Sequence, residues 1–446
     1  MRIPSNRCIF SLILVAMQFA IPGSALSENS PEQRQSEQQP EQQQPEKIHP
    51  EQQRAALLQP ELQPELQPPD QQQRQEYDTA VAAIRAGKWQ DFQALRPGLD
   101  EYPLSVYLDY YQLTAQLSRV RPQDASSFLA RSADSPLPQR FLSLYLRRAG
   151  AARRWSDFLT VWPQEPNSIE LKCYHFRALL AQGDKEAAYA GAKRLWVHGK
   201  SQPKSCDPLF AAWEAAGELT DDLVWERMRA AFSVRQGSLM RYISHKGSGA
   251  LQPWSERLQR VYRDPSRLDI KGLSATHART AQLVSSGLTG LARYSPEKAL
   301  ARWQDYSTRL TFTPEQTQTV EYAIALQGLF ARSDDLRQWL PDVLSRQADD
   351  KLVGIRLRWA LAEQDWDTFM ATLPLLSDEE RESSTWRYWQ ALALIDAGRK
   401  DEAGSLLLAL AADRGFYSFL AADYLKTAYA FNSRPPLMAQ TPHLKA

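Results

Sequence analysis

The chain has 446 residues, enough for two or three ordinary domains or one long repeat array. Its 53 Lys and Arg against 52 Asp and Glu leave it nearly neutral, which argues against a nucleic-acid partner. Hydrophobic residues make up 43% of the chain, enough for a core, and the 13 Trp suit the gaps between packed helices.

Residues 1–25 read as a secretory signal. Arg2 and Arg7 form the basic start, Cys8 to Ile21 the apolar stretch, and Gly23-Ser24-Ala25 a small-residue cleavage site. The apolar run is short for a membrane span, so no stable span is expected after signal removal; the alternative is an uncleaved anchor. Residues 26–75 form a Gln/Glu/Pro tract with too few apolar groups to offset the entropy of ordering, and are expected to be a disordered tether.

From Glu76 onward almost every segment has helical periodicity and strand signals are scarce. The expected fold is all-α, an irregular array of helical hairpins of the α-solenoid, tetratricopeptide-like kind, treated as one domain over residues 76–430. YDTAVAAIRAG opens the array and LSVYLDYYQLTAQL follows. One short helix lies between turn residues over 120–137. A weak repeat recurs at Lys88-Trp89-Gln90-Asp91-Phe92, Arg154-Trp155-Ser156-Asp157-Phe158 and Asp365-Trp366-Asp367-Thr368-Phe369. Gly183-Asp184 and Gly398-Arg399 occupy equivalent turns. Ser295-Pro296 and Asp264-Pro265 read as capped helix starts. Trp386, Trp389, Ala393 and Ala397 share one helical face, and Ala403, Leu406, Leu407, Leu410 and Ala411 another. Residues 431–446 lose periodicity and read as a tail.

Chemistry-bearing motifs are scarce. The six His residues are scattered, with no HExxH, no CxxC and no His–carboxylate cluster for a metal, so neither metal nor cofactor is expected. His175 reads as a packed or solvated helix residue. SSGLTG at 285–290 lacks the Lys-Ser/Thr of a phosphate loop and reads as a turn. Beyond Cys8 the cysteines are Cys173 and Cys206, an even pair that in an exported chain suggests a disulfide; the alternative is two buried thiols.

The stretch WRYWQA at 386–391, a short helix pair and then RGFYSFLAADYL at 414–425 together resemble the end of the superhelical region of soluble lytic murein transglycosylases. Tyr102-Pro103-Leu104 with Tyr107, Leu108 and Tyr110 is similar to the start of that region. Gly199 to Pro203 with Cys206-Asp207, and Tyr294 to Ala299 with Trp303, are similar to stretches within it. The resemblance runs over roughly residues 76–430. It implies a periplasmic chain whose partners are peptidoglycan glycan strands and a separate catalytic or cell-wall protein. It also favours the Cys173–Cys206 pairing. In the family a glycoside-hydrolase-23-like catalytic domain follows, with a Glu-Ser motif and a Gly-Leu-Met-Gln segment. This chain stops at Ala446, about where that domain would begin, and its Glu382-Ser383 lies upstream with no Gly-Leu-Met-Gln after it. The expectation is therefore a scaffold of peptidoglycan turnover, inactive alone, with Glu382 a solvated charge. Phe416, Tyr417 and Tyr424 are the candidates for a glycan or domain-docking surface, the alternative being core packing. A rival reading is a tetratricopeptide-like module that binds a periplasmic protein.

Overall fold

A computed structural model describes residues 71–433. The expected signal peptide, residues 26–70 of the expected tether and the tail from residue 434 lie outside the described residues; residues 71–75, expected as the end of the disordered tether, are instead helical, the start of the helix Gln71–Arg85. Every regular element among the described residues is helical. The all-α hairpin array expected from periodicity is the fold.

The chain divides into two compact units, with the boundary between Arg148 and Ala149. The first unit holds α1 (Gln71–Arg85), α2 (Trp89–Leu95), α3 (Ser105–Ala115), α4 (Pro122–Arg131) and most of α5 (Leu137–Ala151). Its core gathers Ala80, Ala83, Ile84, Phe92, Leu99, Tyr102 and Leu108. Phe128 of α4 meets Phe141 of α5 edge-on at 4.8 Å.

The second unit runs on from the end of α5. It continues with α6 (Trp155–Val161), α7 (Ile169–Ala181), α8 (Lys185–Trp196), α9 (Asp207–Ala215), α10 (Asp221–Ser233), α11 (Gly237–Ser244) and α12 (Gln252–Arg263). Then follow α13 (Ala278–Ala292), α14 (Pro296–Arg309), α15 (Pro314–Ala331), α16 (Leu340–Gln347), α17 (Asp350–Glu363) and α18 (Trp366–Thr372). A single turn, α19 (Asp378–Arg381), leads to α20 (Ser384–Asp396), α21 (Lys400–Ala411) and α22 (Phe416–Leu425). Helices pack chiefly on their sequence neighbours, the pattern of a solenoid in which each hairpin buries the face of the last.

One device closes many of these hairpins. At Gly87, Arg153, Gly183, Arg235, Gln364 and Gly398 the backbone takes a positive φ. The next amide reaches back five residues: Lys88 N to Ala83 O, Arg154 N to Ala149 O, Asp184 N to Leu179 O, Gln236 N to Ala231 O, Asp365 N to Ala360 O and Arg399 N to Leu394 O, all between 2.8 and 3.0 Å. This is the Schellman ending, which satisfies helix carbonyls and reverses the chain at once. The Trp-centred repeat sits directly after it. Trp89, Trp155 and Trp366 each open a seven-residue helix, and the Phe three positions on is buried: Phe92, Phe158 and Phe369.

Two expectations need correction. SSGLTG is not a turn: residues 285–290 lie inside α13, where Ser285, Ser286, Gly287 and Gly290 are buried. A Cβ on Gly287 would stand 2.8 Å from Leu268 Cδ1, so the glycine is there for close packing rather than for bending. Ser295 does precede α14, but its hydroxyl accepts no amide; it donates to Glu297 Oε2 at 3.2 Å. Asp264 does cap, accepting from Ser266 N at 3.1 Å, though the helix it starts is only the 3-10 turn Pro265–Arg267. The faces expected around Trp386 are buried through Trp386, Trp389, Ala393, Ala403, Leu407 and Leu410, while Ala397 is exposed at the helix end.

Candidate functional site

The last three helices carry the aromatic surface. α20 is held at its start by Glu380, which accepts from Trp386 Nε1 at 3.1 Å. The Arg358 guanidinium lies over the Trp386 ring at 5.0 Å. Gly398 and its Schellman bond turn the chain into α21, and the short α22 then lays Ser418, Ala421 and Ala422 inward. Small residues on that face let α22 sit close to its neighbours and leave its large rings pointing elsewhere.

Phe416 is 58% exposed and Tyr424 is 48% exposed, while Tyr417 is half-buried. Tyr417 links the group: its ring is 5.2 Å from Phe416, edge-on, and 5.6 Å from Tyr388 of α20. Burial, with Tyr424, Asp423 and Tyr417 close by, pushes the Tyr388 hydroxyl up to about 12. Of the three residues singled out from the sequence, Tyr417 and Tyr424 lie near the buried Tyr388, and Phe416 packs on Tyr417.

A second ring cluster escaped sequence reasoning. Phe419 stands 5.0 Å from Tyr429 and 5.7 Å from Phe431, and the Tyr429 hydroxyl donates to Asp423 Oδ1 at 2.6 Å. Phe431 is 57% exposed. Tyr429 and Phe431 follow a left-handed residue, Lys426, which ends α22 and folds the next residues back on it. The spacing of Phe419, Tyr429 and Phe431 across that stop is the signal that periodicity alone does not read.

The surface offers flat apolar rings edged by a carboxylate and phenolic hydroxyls. Such groups stack on apolar faces and hydrogen-bond to hydroxyls. Glu382 lies apart, exposed, 3.8 Å from Arg387 Nε. Among the described residues no group of three or more His, Cys, Asp or Glu could hold a metal ion. No described helix is long and apolar enough to cross a membrane.

Cys173 and Cys206 are joined by a disulfide with 4.9 Å between their Cα atoms. It ties the first turns of α7 to the 3-10 turn that leads into α9, and both cysteines are fully buried.

Over 365 residues the chain is 29% identical to the soluble lytic murein transglycosylase of Salmonella typhimurium, a match covering 80% of this chain and 56% of that protein. The Escherichia coli K12 protein of the same name gives 28% over 364 residues, with the same coverage. Among solved structures, the 70 kDa soluble lytic transglycosylase of E. coli shares the fold with a TM-score of 0.65 and 26% identity, over 80% of this chain and 58% of that one. An inactive mutant of the lytic transglycosylase Slt of Pseudomonas aeruginosa gives 0.67 and 32%, over 81% and 59%. The chain resembles the soluble lytic murein transglycosylases. It spans a little over half the length of the transglycosylases it matches. A family model described as Cucumovirus coat protein matches residues 188–271. That stretch runs here from α8 to the loop after α12, well under half of the chain, and a match of this extent sets no family. The likeness to the transglycosylases, in contrast, takes in most of the hairpin array.

Proposed function

We propose that this chain acts in peptidoglycan turnover as an exported, periplasmic scaffold, and that residues 71–433 hold cell-wall glycan or a catalytic partner rather than cutting glycosidic bonds. The observation that carries the reading is the likeness, over 80% of the chain, to proteins named for lysis of murein. Two features support the scaffold role. The exposed rings of Phe416, which packs on Tyr417, and of Tyr424 on the same helix are the candidate stacking or docking surface. The Glu-Ser pair in the array is a surface ion pair with Arg387 rather than a carboxyl in a cleft. In this reading the residues before the array serve as signal and tether, and those from 431 as a tail.

The test incubates the purified mature chain with intact sacculi and follows two readouts. Co-sedimentation of the chain with the sacculi, lost in a Phe416→Ala/Tyr424→Ala variant, is the expected result. No anhydromuropeptides should appear by mass spectrometry; their appearance, absent from a heat-denatured control, would overturn the non-cutting role. The exposed Phe431 beside the same surface favours one second reading, a protein-binding module. Capture of a periplasmic protein without sacculus binding would select it.

A further inference from the structure

Arg227 stands out among the buried arginines. It lies on α10, 4% exposed, with its guanidinium 4.1 Å from the Trp196 ring and 5.7 Å from that of Phe210. Its Nε has no hydrogen-bond partner, and no carboxylate of the described residues pairs with it. Other inward arginines differ. Arg356 sees Asp365 and Glu363, Arg358 sees Glu380, and Arg229 sees Glu226. Burial pushes the Arg227 guanidinium down to about 10, which leaves it charged at neutral pH. Contact with aromatic faces offsets only part of the cost of taking a cation out of water; an ion pair offsets more.

Arg227 is also on the wall of an open cavity of about 590 Å³ lying wholly within the second unit. The aromatic wall is Trp196, Phe210 and Tyr242, the last 59% exposed with Lys246 Nζ over its ring at 5.7 Å. The polar wall includes Ser201 and Gln202, from the loop that leads to the disulfide. Gln202 is anchored by donating from Nε2 to Leu195 O at 3.0 Å, so its position is set by backbone. Of the two acidic residues on the lining, Glu214 is held by Lys246 Nζ at 2.5 Å, and Asp207 is exposed in the first turn of α9. Neither is paired with Arg227.

We propose that this cavity is a binding site for a carboxylate-bearing ligand, whose carboxylate pairs with Arg227 while its body lies against Trp196, Phe210 and Tyr242. A buried guanidinium with no carboxylate partner, beside aromatic walls, the hydrogen-bonding groups of Ser201 and Gln202 and a Glu214 already paired with Lys246, matches an acid carried on a sugar ring or at the end of a short peptide. The assignment stands independently of the cell-wall reading, because any soluble acid of that form tests it.

The test is calorimetric titration of the mature chain with four probes: N-acetylmuramic acid, N-acetylglucosamine, N-acetyl-Ala-Ala as the free acid, and the same dipeptide as its amide. At least one acid should bind, and both uncharged probes should fail; which acid binds identifies the source as sugar or peptide. Arg227→Met keeps the volume and removes the charge, so it should weaken binding by about tenfold to a hundredfold. It should also leave the thermal midpoint unchanged or higher, as replacing a buried unpaired charge allows. Tyr242→Ala, at an exposed position, serves should the arginine variant fail to fold; it too should weaken binding. Failure of both acids, equal binding of acid and amide, or binding unchanged in a folded Arg227→Met variant overturns the proposal.

Discussion

Gln364 and Gly398 occupy the same place in two hairpins, with φ of 60° and 79°. A side chain in this region meets its own carbonyl, at a cost of about 1 kcal/mol, which glycine avoids. No heavy atom lies within 4 Å of where a Cβ on Gly398 would sit, so the backbone alone decides. Gln364→Gly should raise the urea midpoint and Gly398→Ala should lower it, each by about 1 kcal/mol in stability. Equal midpoints in all three proteins would show that the turns are unstrained. The glycine turns were legible in the sequence because glycine advertises a positive φ. Arg153, Arg235 and Gln364 were not, because the flanking hairpin imposes their conformation.

His175 carries a second residue-scale prediction. It is 5% exposed, packed at 5.3 Å on Phe176 and 6.4 Å on Phe158, with Nδ1 unpartnered. Burial pushes its pKa below the ordinary 6.5, against the smaller opposite pull of Glu165. The unfolded chain therefore takes up this proton at a higher pH than the folded one. Below the ordinary value the unfolded state binds more protons, so His175 costs stability as pH falls. Unfolding free energy measured from about pH 7 down to 5 should drop, and His175→Gln should flatten the drop. Parallel curves would place the pH dependence elsewhere.

At the scale of elements, the disulfide and the central helix show what the sequence carries and what it leaves out. The bridge closes a separation of 33 residues, worth roughly 3–4 kcal/mol if it acts on the unfolded chain. Because helices in this unit lean mainly on sequence neighbours, the loss should be local. Hydrogen exchange after reduction, or in a Cys173→Ala/Cys206→Ala variant, should quicken in α7, α8 and α9 and stay unchanged in α20 and α21. A uniform rise would mean that the unit unfolds as one body. The pairing was readable as an even cysteine count. Helix α13 was not readable, because Ser and Gly are turn residues by local preference. They enter a helix here because Leu268, Val261 and Phe232 come so near that larger side chains would clash. Likewise α22 was legible as a helix, whereas Tyr429 and Phe431 were not legible as its partners. Their contacts depend on the reversal after Lys426.

At the scale of the whole molecule, the same neighbour-on-neighbour packing makes a claim about cooperativity. In a compact globular core, removing the terminal hairpin would uncover groups from every part of the chain. Here α21 and α22 cover α20 and each other, and the Arg227 cavity is lined only by residues between Trp196 and Lys246. Deleting residues from Gly398 onward uncovers Tyr388 and the faces that met Ala403, Leu407 and Leu410. Each large apolar side chain left in water costs about 1.5–3 kcal/mol, enough to fray α20. The cost stops there if stability is a sum of adjacent interfaces. The shortened chain should lose helical circular dichroism only in proportion to the helices removed plus α20. Exchange protection in α7 to α13 should match that of the full chain. Collapse of the whole helical signal on this deletion would show long-range coupling, and the array would then have to be treated as one cooperative body.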